Sequence, residues 1–133
     1  MQWSEDMSVG IAEIDDQHKT LLDYLVLVER ATGEGHAGTE VYFALDQFAT
    51  YVRIHFAVEE IEMRIHRYPG LDAHIMLHRD FEARLRMLEG EALTRNVYAK
   101  VRDLLRGWLV QHIKTEDIKY APYLLGTNSG AVK

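Results

Sequence analysis

Five histidines and two carboxylates stand where a folded chain has least use for polar groups. His55 and Glu59 are four residues apart, as are His74 and His78. That spacing sets each pair on one face of a helix, one turn apart. His18 and His112 each stand alone among apolar neighbours, and Asp117 follows His112 by five residues. A single histidine on an apolar face is ordinarily a hydrogen-bonded core residue, and H-x-x-x-E or H-x-x-x-H often arises by chance. Glu59 resists that reading, because an unpaired buried carboxylate costs several kcal/mol or is forced neutral. Seven donors converging from four segments share one economical partner, a metal site. Imidazole suits iron, copper, zinc and nickel, whereas carboxylate prefers harder ions.

Seven protein ligands are too many for one ion. If two six-coordinate ions share both carboxylates as bridges, the imidazoles supply five bonds and the carboxylates four. A bridging oxo or hydroxo group adds two more. One of the twelve positions then stays open on one metal, as a small ligand such as O2 requires. A tetrahedral di-zinc hydrolase would not need so many imidazoles. Carboxylate-rich di-iron enzymes use Glu-x-x-His motifs. A histidine-rich set stabilises high-valent metal less well, which favours stopping at bound peroxide. Two further histidines fail as ligands. His36 lies in a glycine-rich linker, and His66 is eleven residues beyond His55, about 16 Å along a helix.

Four helices must position these groups. Residues 1–13 read as an arm, with helix A starting near Asp15-Asp16, acidic residues suited to capping. Its apolar stripe is Ile14, Leu21, Leu22, Leu25 and Val28, with His18 on the same face. After the linker 33–38, helix B runs from Thr39 to the stop Tyr68-Pro69-Gly70. Its stripe of Val41, Leu45, Phe48, Val52, Phe56 and Met63 contains His55 and Glu59. Helix C carries Ile75, Leu77, Phe81, Leu85 and Leu88 beside His74 and His78, with Glu89-Gly90-Glu91 marking the next turn. Helix D spans Thr94 to Ile113, with Val97, Val101, Leu104, Leu105, Trp108 and Leu109 inward beside His112. A helical turn follows at 117–123. On a regular helix Asp117 is rotated ~140° from His112, so the two meet only if helix D unwinds between them. Short connections make this an all-α, antiparallel up-down-up-down four-helix bundle with an N-terminal arm and a short C-terminal helical turn.

The chain of 133 residues is expected to be one domain, with a core bundle at 12–123 and a flexible tail at 124–133. Its net charge of −6 excludes the basic surface of a nucleic-acid binder and disfavours docking on anionic lipid. No apolar run is long enough to span a bilayer, and the acidic start lacks the marks of a signal peptide. A cytoplasmic monomer is expected. With no cysteine, thiolate sites and disulfides are excluded.

Over residues 3–123 the sequence resembles the hemerythrins, the bacterial ones in particular. The resemblance rests on Trp3, Val9-Gly10-Ile11, Ile14-Asp15-Asp16-Gln17-His18, His55-Phe56 with Glu59-Glu60 and Met63, His74 with His78, and Trp108-Leu109 ahead of His112-Ile113 and Asp117. It implies two irons per chain, with His74, His78 and His112 on one, His18 and His55 on the other, and Glu59 and Asp117 bridging. The two-histidine iron would have the open position. O2 would take two electrons from the pair and a proton from the bridging hydroxide. Leu21, Phe56, Trp108, Leu109 and Ile113 match the family's apolar O2 pocket, though plain core packing would need the same residues. The neighbours of the ligands suggest that Leu21 and Phe56 close the two-histidine side. The expected function is non-enzymatic: reversible O2 binding for storage, or for delivery to an oxygen-requiring enzyme. The competing functions are a redox enzyme acting on peroxide or nitric oxide, and a sensor module.

Overall fold

A computed structural model describes residues 3–33 and 38–126 of the chain. Three long helices are α1 (Ala12–Gly33), α2 (Gly38–Ile65) and α3 (Leu71–Ala92). A fourth helical run covers 98–125 in consecutive stretches. The chain is all-α among the described residues, with α1 against α2, α2 against α3, and the fourth run closing on α1.

The apolar stripes explain the packing. Leu21, Leu25, Leu45, Phe48, Val52, Phe81 and Leu105 are fully shielded in one large cluster. Val9, Ile14, Met63, Tyr120 and Ala121 form a smaller one at the other end. His18 falls between Ile14 and Leu21 in sequence. His55 and Glu59 fall between Val52 and Met63, and His112 and Asp117 between Leu109 and Tyr120. The polar stretch of each helix therefore lies between the two apolar clusters. Of the expected stripes, only Ile75, Leu77, Leu104 and Trp108 are half-buried rather than buried.

Several boundaries differ from the sequence reading. The first long helix starts at Ala12, so Asp15 sits inside its first turn. There its carboxylate accepts from Val9 N (2.8 Å) and from the Ser8 hydroxyl, tying down the arm. Glu89-Gly90-Glu91 remain helical, and the turn comes after Ala92. The fourth run begins at Tyr98, because the Asn96 side chain accepts from Tyr98 N (2.9 Å), a local bond that holds Thr94–Val97 out of helix. Leu124 and Leu125 are still helical, so the expected tail boundary at 124 is too early; Gly126 ends the helix in a left-handed conformation (φ 71°). Residues 127–133 and His36 lie outside the described residues. At the end of α2, Arg67 takes φ 58° while Tyr68 N bonds Met63 O (2.9 Å), the reversal of a Schellman motif. Gly70 follows because a Cβ there would lie 2.8 Å from the Tyr68 ring.

The largest departure lies within the fourth run. Residues Arg102–Leu109 and Ile113–Asp117 are π-helical, separated by an α turn at Val110–His112. The backbone does not unwind between His112 and Asp117. It widens, and five residues then make about one turn of i→i+5 helix.

The two apolar clusters set an expectation for stability. Leu45→Ala empties a fully buried position of the large cluster and should cost about 2–5 kcal/mol. Leu27→Ala, half-exposed on α1, should change stability by no more than about 0.5 kcal/mol. Denaturant unfolding of both variants checks the contrast.

Candidate metal centre

Seven side chains from four helices meet between the clusters, and all seven are buried. Glu59, His74, His78, His112 and Asp117 bring one ligand atom each within 4.8 Å of one another. His18, His55, Glu59 and Asp117 form a second such group. The groups share Glu59 and Asp117. His66 belongs to neither: it is 39% exposed, beside Glu62 at 3.7 Å.

The contacts converge from all sides. His55 Nε2 and His18 Nε2 lie 3.1 and 3.3 Å from Glu59 Oε2, and His78 Nε2 lies 3.2 Å from Glu59 Oε1. His74 Nε2 and His112 Nε2 are each 3.0 Å from Asp117 Oδ1, and His18 Nε2 is 3.1 Å from Asp117 Oδ2. The nitrogens of His74 and His112 face each other at 3.2 Å. Of these contacts, only His18–Glu59 and His74–His112 have hydrogen-bond geometry. Glu59 Oε1, His78 Nε2 and Asp117 Oδ1 are buried and have no hydrogen-bond partner among the described residues. Buried polar atoms are rarely left so. Donor atoms aimed at a common point, and misaligned with each other, fit a cation between them. Imidazole with carboxylate is a set suited to iron.

A second layer orients these groups, as is usual for metal-ligating histidines. His78 Nδ1 donates to Glu60 Oε2 (2.7 Å), and Arg79 holds the other oxygen of Glu60 while also bonding Glu82. His55 Nδ1 donates to Gln17 Oε1 (2.6 Å). The buried Tyr120 hydroxyl donates to Glu59 Oε2 (2.6 Å). His18 Nδ1 has no partner among the described residues. Sequence reasoning did not find Gln17, Glu60 or Tyr120 as supports. Gln17 and Glu60 stand in the motifs that carry the family resemblance, next to His18 and Glu59, but received no role there; the signal for Tyr120 was its place three residues after Asp117.

The apolar surroundings are uneven. Phe56 stacks on His78 at 3.6 Å between ring centroids and stands 6.2 Å from His55. It therefore walls the three-histidine side, not the two-histidine side suggested by its place next to His55. Trp108 stacks on His112 (4.5 Å) and on Phe81 (4.3 Å). Leu21, Leu109 and Ile113 are buried in the large cluster. A surface cleft of about 300 Å³, lined in part by Trp108, Gln111 and Thr115, reaches His112 from outside.

Charge within the cluster is tightly linked. Burial opposes the charged form of His18, but Asp117 and Glu59 outweigh it and push the pKa up to about 10. His74 also rises, since Asp117 overcomes the cost of its burial. Burial would raise Glu59, yet His55, His18 and His78 hold it well below its ordinary value. Asp117 is lowered as well: burial and Glu59 act upward on it, and His112 and His18 prevail. Burial, followed by the two carboxylates, raises Tyr120 well above its usual value.

This geometry defines a class, a four-helix bundle whose interior is built to hold metal without a porphyrin. The chain matches the family model described as "Hemerythrin HHE cation binding domain" over residues 9–124 and belongs to the hemerythrin family. It is 33% identical to the bacteriohemerythrin of Stenotrophomonas maltophilia, over 90% of this chain and 78% of that protein. It is 34% identical to one of the hemerythrin subunits of Sipunculus nudus, over 92% of each. A crystal structure of wild-type hemerythrin superposes with a TM-score of 0.86 at 29% identity, covering 93% of this chain and 97% of that one. Membership places the chain among non-heme iron, oxygen-binding proteins. No helix among the described residues is long and apolar enough to cross a membrane.

The linked charges give a pH dependence for the metal-free protein. His18 has a raised pKa in the folded state, so its stabilising contribution is complete below about 6.5 and is lost as pH rises toward about 10. Glu59 and Asp117 are depressed, so theirs is present above the ordinary carboxylate range and is lost as pH falls through their folded values. Metal-free protein should be most stable between these limits and weaken steadily from pH 7 to 10. Chemical unfolding across pH should show that slope, and His18→Gln should flatten it.

Proposed function

We propose that this chain binds O2 reversibly at two non-heme irons, for storage or for delivery to an oxygen-requiring enzyme. His74, His78 and His112 would hold one iron and His18 and His55 the other. Glu59 and Asp117 would bridge them together with an oxo or hydroxo group. The observation that carries this reading is the division of the buried donors into two groups that share both carboxylates. The irons would supply the two electrons that O2 takes up and gives back.

The chain's own residues contribute position and exclusion of water. Three imidazoles on one side and two on the other leave the smaller set with room for a small ligand. Leu21, Leu109 and Ile113 are almost completely buried, and Phe56 and Trp108 stack against the imidazoles of the larger set. Water admitted beside such a wall finds few hydrogen-bond partners, which slows loss of bound oxygen by protonation.

The test is metal analysis of protein made with abundant iron, with optical spectra of the reduced form before and after air. Two irons per chain and a reversible oxygenated band are expected. His66→Ala should keep both, whereas His74→Ala or Glu59→Ala should lose the paired site. One ion per chain, or retained zinc, would defeat the di-iron reading. Sustained turnover of peroxide or nitric oxide would replace oxygen carriage with catalysis.

Ile113→Ala separates gating from packing. It removes an almost wholly buried side chain next to His112 while leaving every donor in place. The oxygenated band should decay faster and added anions should reach the oxidised protein sooner, at a stability cost of about 2–5 kcal/mol. Equal decay in two folded proteins would make Ile113 a packing residue only.

A further inference from the structure

Three of the seven tyrosines touch one another in turn, starting at the metal centre. Tyr120 is fully buried and donates its hydroxyl to Glu59 Oε2 (2.6 Å), with its ring 5.7 Å from that of His74. Tyr68 lies 6.4 Å from Tyr120, and Tyr123 lies 5.2 Å from Tyr68, both edge to face. These are the separations of aromatic rings in packing contact. Tyr68 and Tyr123 are half-buried, so the chain of rings begins on a donor carboxylate and ends at solvent. Local structure holds it in place. The reversal after α2 fixes Tyr68, whose ring packs over Gly70, and Tyr123 follows Tyr120 by one helical turn.

Placement separates these rings from the other aromatic groups. Tyr24 and Tyr51 form a second pair at 5.5 Å, but neither makes a ring contact with a donor histidine among the described residues. Trp108 stacks on His112, whereas Tyr120 has a hydrogen-bond acceptor on the donor set itself. That acceptor matters because a phenol that loses an electron must lose its proton at once. The Tyr120 proton can move along the existing bond to Glu59, and those of Tyr68 and Tyr123 can pass to water.

We propose that Tyr120, Tyr68 and Tyr123 relay electrons inward when peroxide attacks the metal centre, so that the oxidation ends at the surface and a small reductant of the ascorbate class repairs it. The proposal rests on the di-iron, oxygen-binding reading. Bound oxygen that has taken two electrons leaves, once protonated, as hydrogen peroxide beside an oxidised centre. Cleaving its O–O bond to give two waters takes two electrons and two protons. With the irons already oxidised, two phenols supply them, each giving one electron and one proton. The electrons pass inward ring by ring, and the Tyr120 proton returns from Glu59 as its ring is reduced again. The two deficits come to rest on Tyr68 and Tyr123. An ascorbate-class reductant then returns two electrons and two protons. Without one, the adjacent phenoxyls join carbon to carbon, and one peroxide with two phenols gives one dityrosine and two waters. The chain has no cysteine to absorb oxidation. Met63, buried in the same cluster as Tyr120, is the thioether that the relay spares.

The test gives iron-loaded, oxidised protein of measured iron content one equivalent of hydrogen peroxide. Freeze-quenched samples should show a phenoxyl radical by electron paramagnetic resonance. Peptide mapping should find Tyr68 joined to Tyr123 with the loss of two hydrogens. Ascorbate added beforehand should abolish the link, and protein reconstituted with zinc should not form it. Tyr68→Phe and Tyr123→Phe lie outside the donor set and should keep iron content and oxygen binding. In Tyr68→Phe the oxidation should move back to Met63, read as its sulfoxide. Tyr120→Phe keeps the ring but removes the proton path, and should lose most of the link at equal iron content. Two-iron protein left unmarked by peroxide would overturn the proposal. So would marks spread equally to Tyr24 and Tyr51, marks chiefly on Trp108, or a Tyr68→Phe protein whose Met63 is no more oxidised than the parent's. Protein without two irons would overturn the di-iron reading instead, and the relay with it.

Discussion

Glu59 and Asp117 are almost completely removed from water at the centre of the bundle, and they face each other. Each makes the charged state of the other costlier, and burial adds to that cost for both. Two such anions persist only among positive charge. The bundle surrounds them with five imidazoles, a group that carries a proton or a metal on the same nitrogen. In the metal-free protein the two carboxylates favour protons on His18 and His74 and so hold both more basic than an ordinary histidine. Metal can enter only as those protons leave. The apolar clusters on either side keep water from taking over the task.

That constraint also accounts for the irregular fourth helix. A regular α-helix would carry Asp117 ~140° away from His112, removing it from both donor groups and leaving one carboxylate without its counter-charges. The widened turn at Ile113–Asp117 brings Asp117 Oδ1 to 3.0 Å from His112 Nε2, with helical backbone angles at both of its ends. Isolated π turns tend to occur where function requires one side chain to be re-aimed. Here the re-aimed group is the second carboxylate.

Most of this arrangement is legible in the sequence, because an amphipathic stripe records which face of a helix is buried. Histidines and a glutamate embedded in those stripes had to be interior, and they are. What a stripe does not record is the pitch of the backbone. An i→i+5 bond has no residue signature, so the sequence could demand that Asp117 approach His112 without revealing how the backbone achieves it. Nor does adjacency in the chain mean adjacency in space. His55 and Phe56 are consecutive, yet successive helical residues point about 100° apart, and Phe56 faces His78 on α3. The supporting roles of Gln17, Glu60 and Tyr120 escaped notice for a related reason. Each supports its partner across a helix–helix contact, and one-dimensional spacing within a helix holds no information about that contact.

The supports are distributed as unevenly as the imidazoles. On the three-histidine side, His78 donates to a carboxylate that Arg79 fixes in turn, and flat rings cover both His78 and His112. A carboxylate partner makes an imidazole a stronger donor and fixes its orientation. On the two-histidine side, His55 has only the neutral Gln17, and His18 Nδ1 has no partner among the described residues. Ligand number, ligand strength and rigidity thus all decline in the same direction. For the proposed pair of irons, the electron-rich, clamped side would keep the centre assembled. The less encumbered side could change its coordination without moving a helix, and an exchangeable small ligand requires that freedom at one metal only.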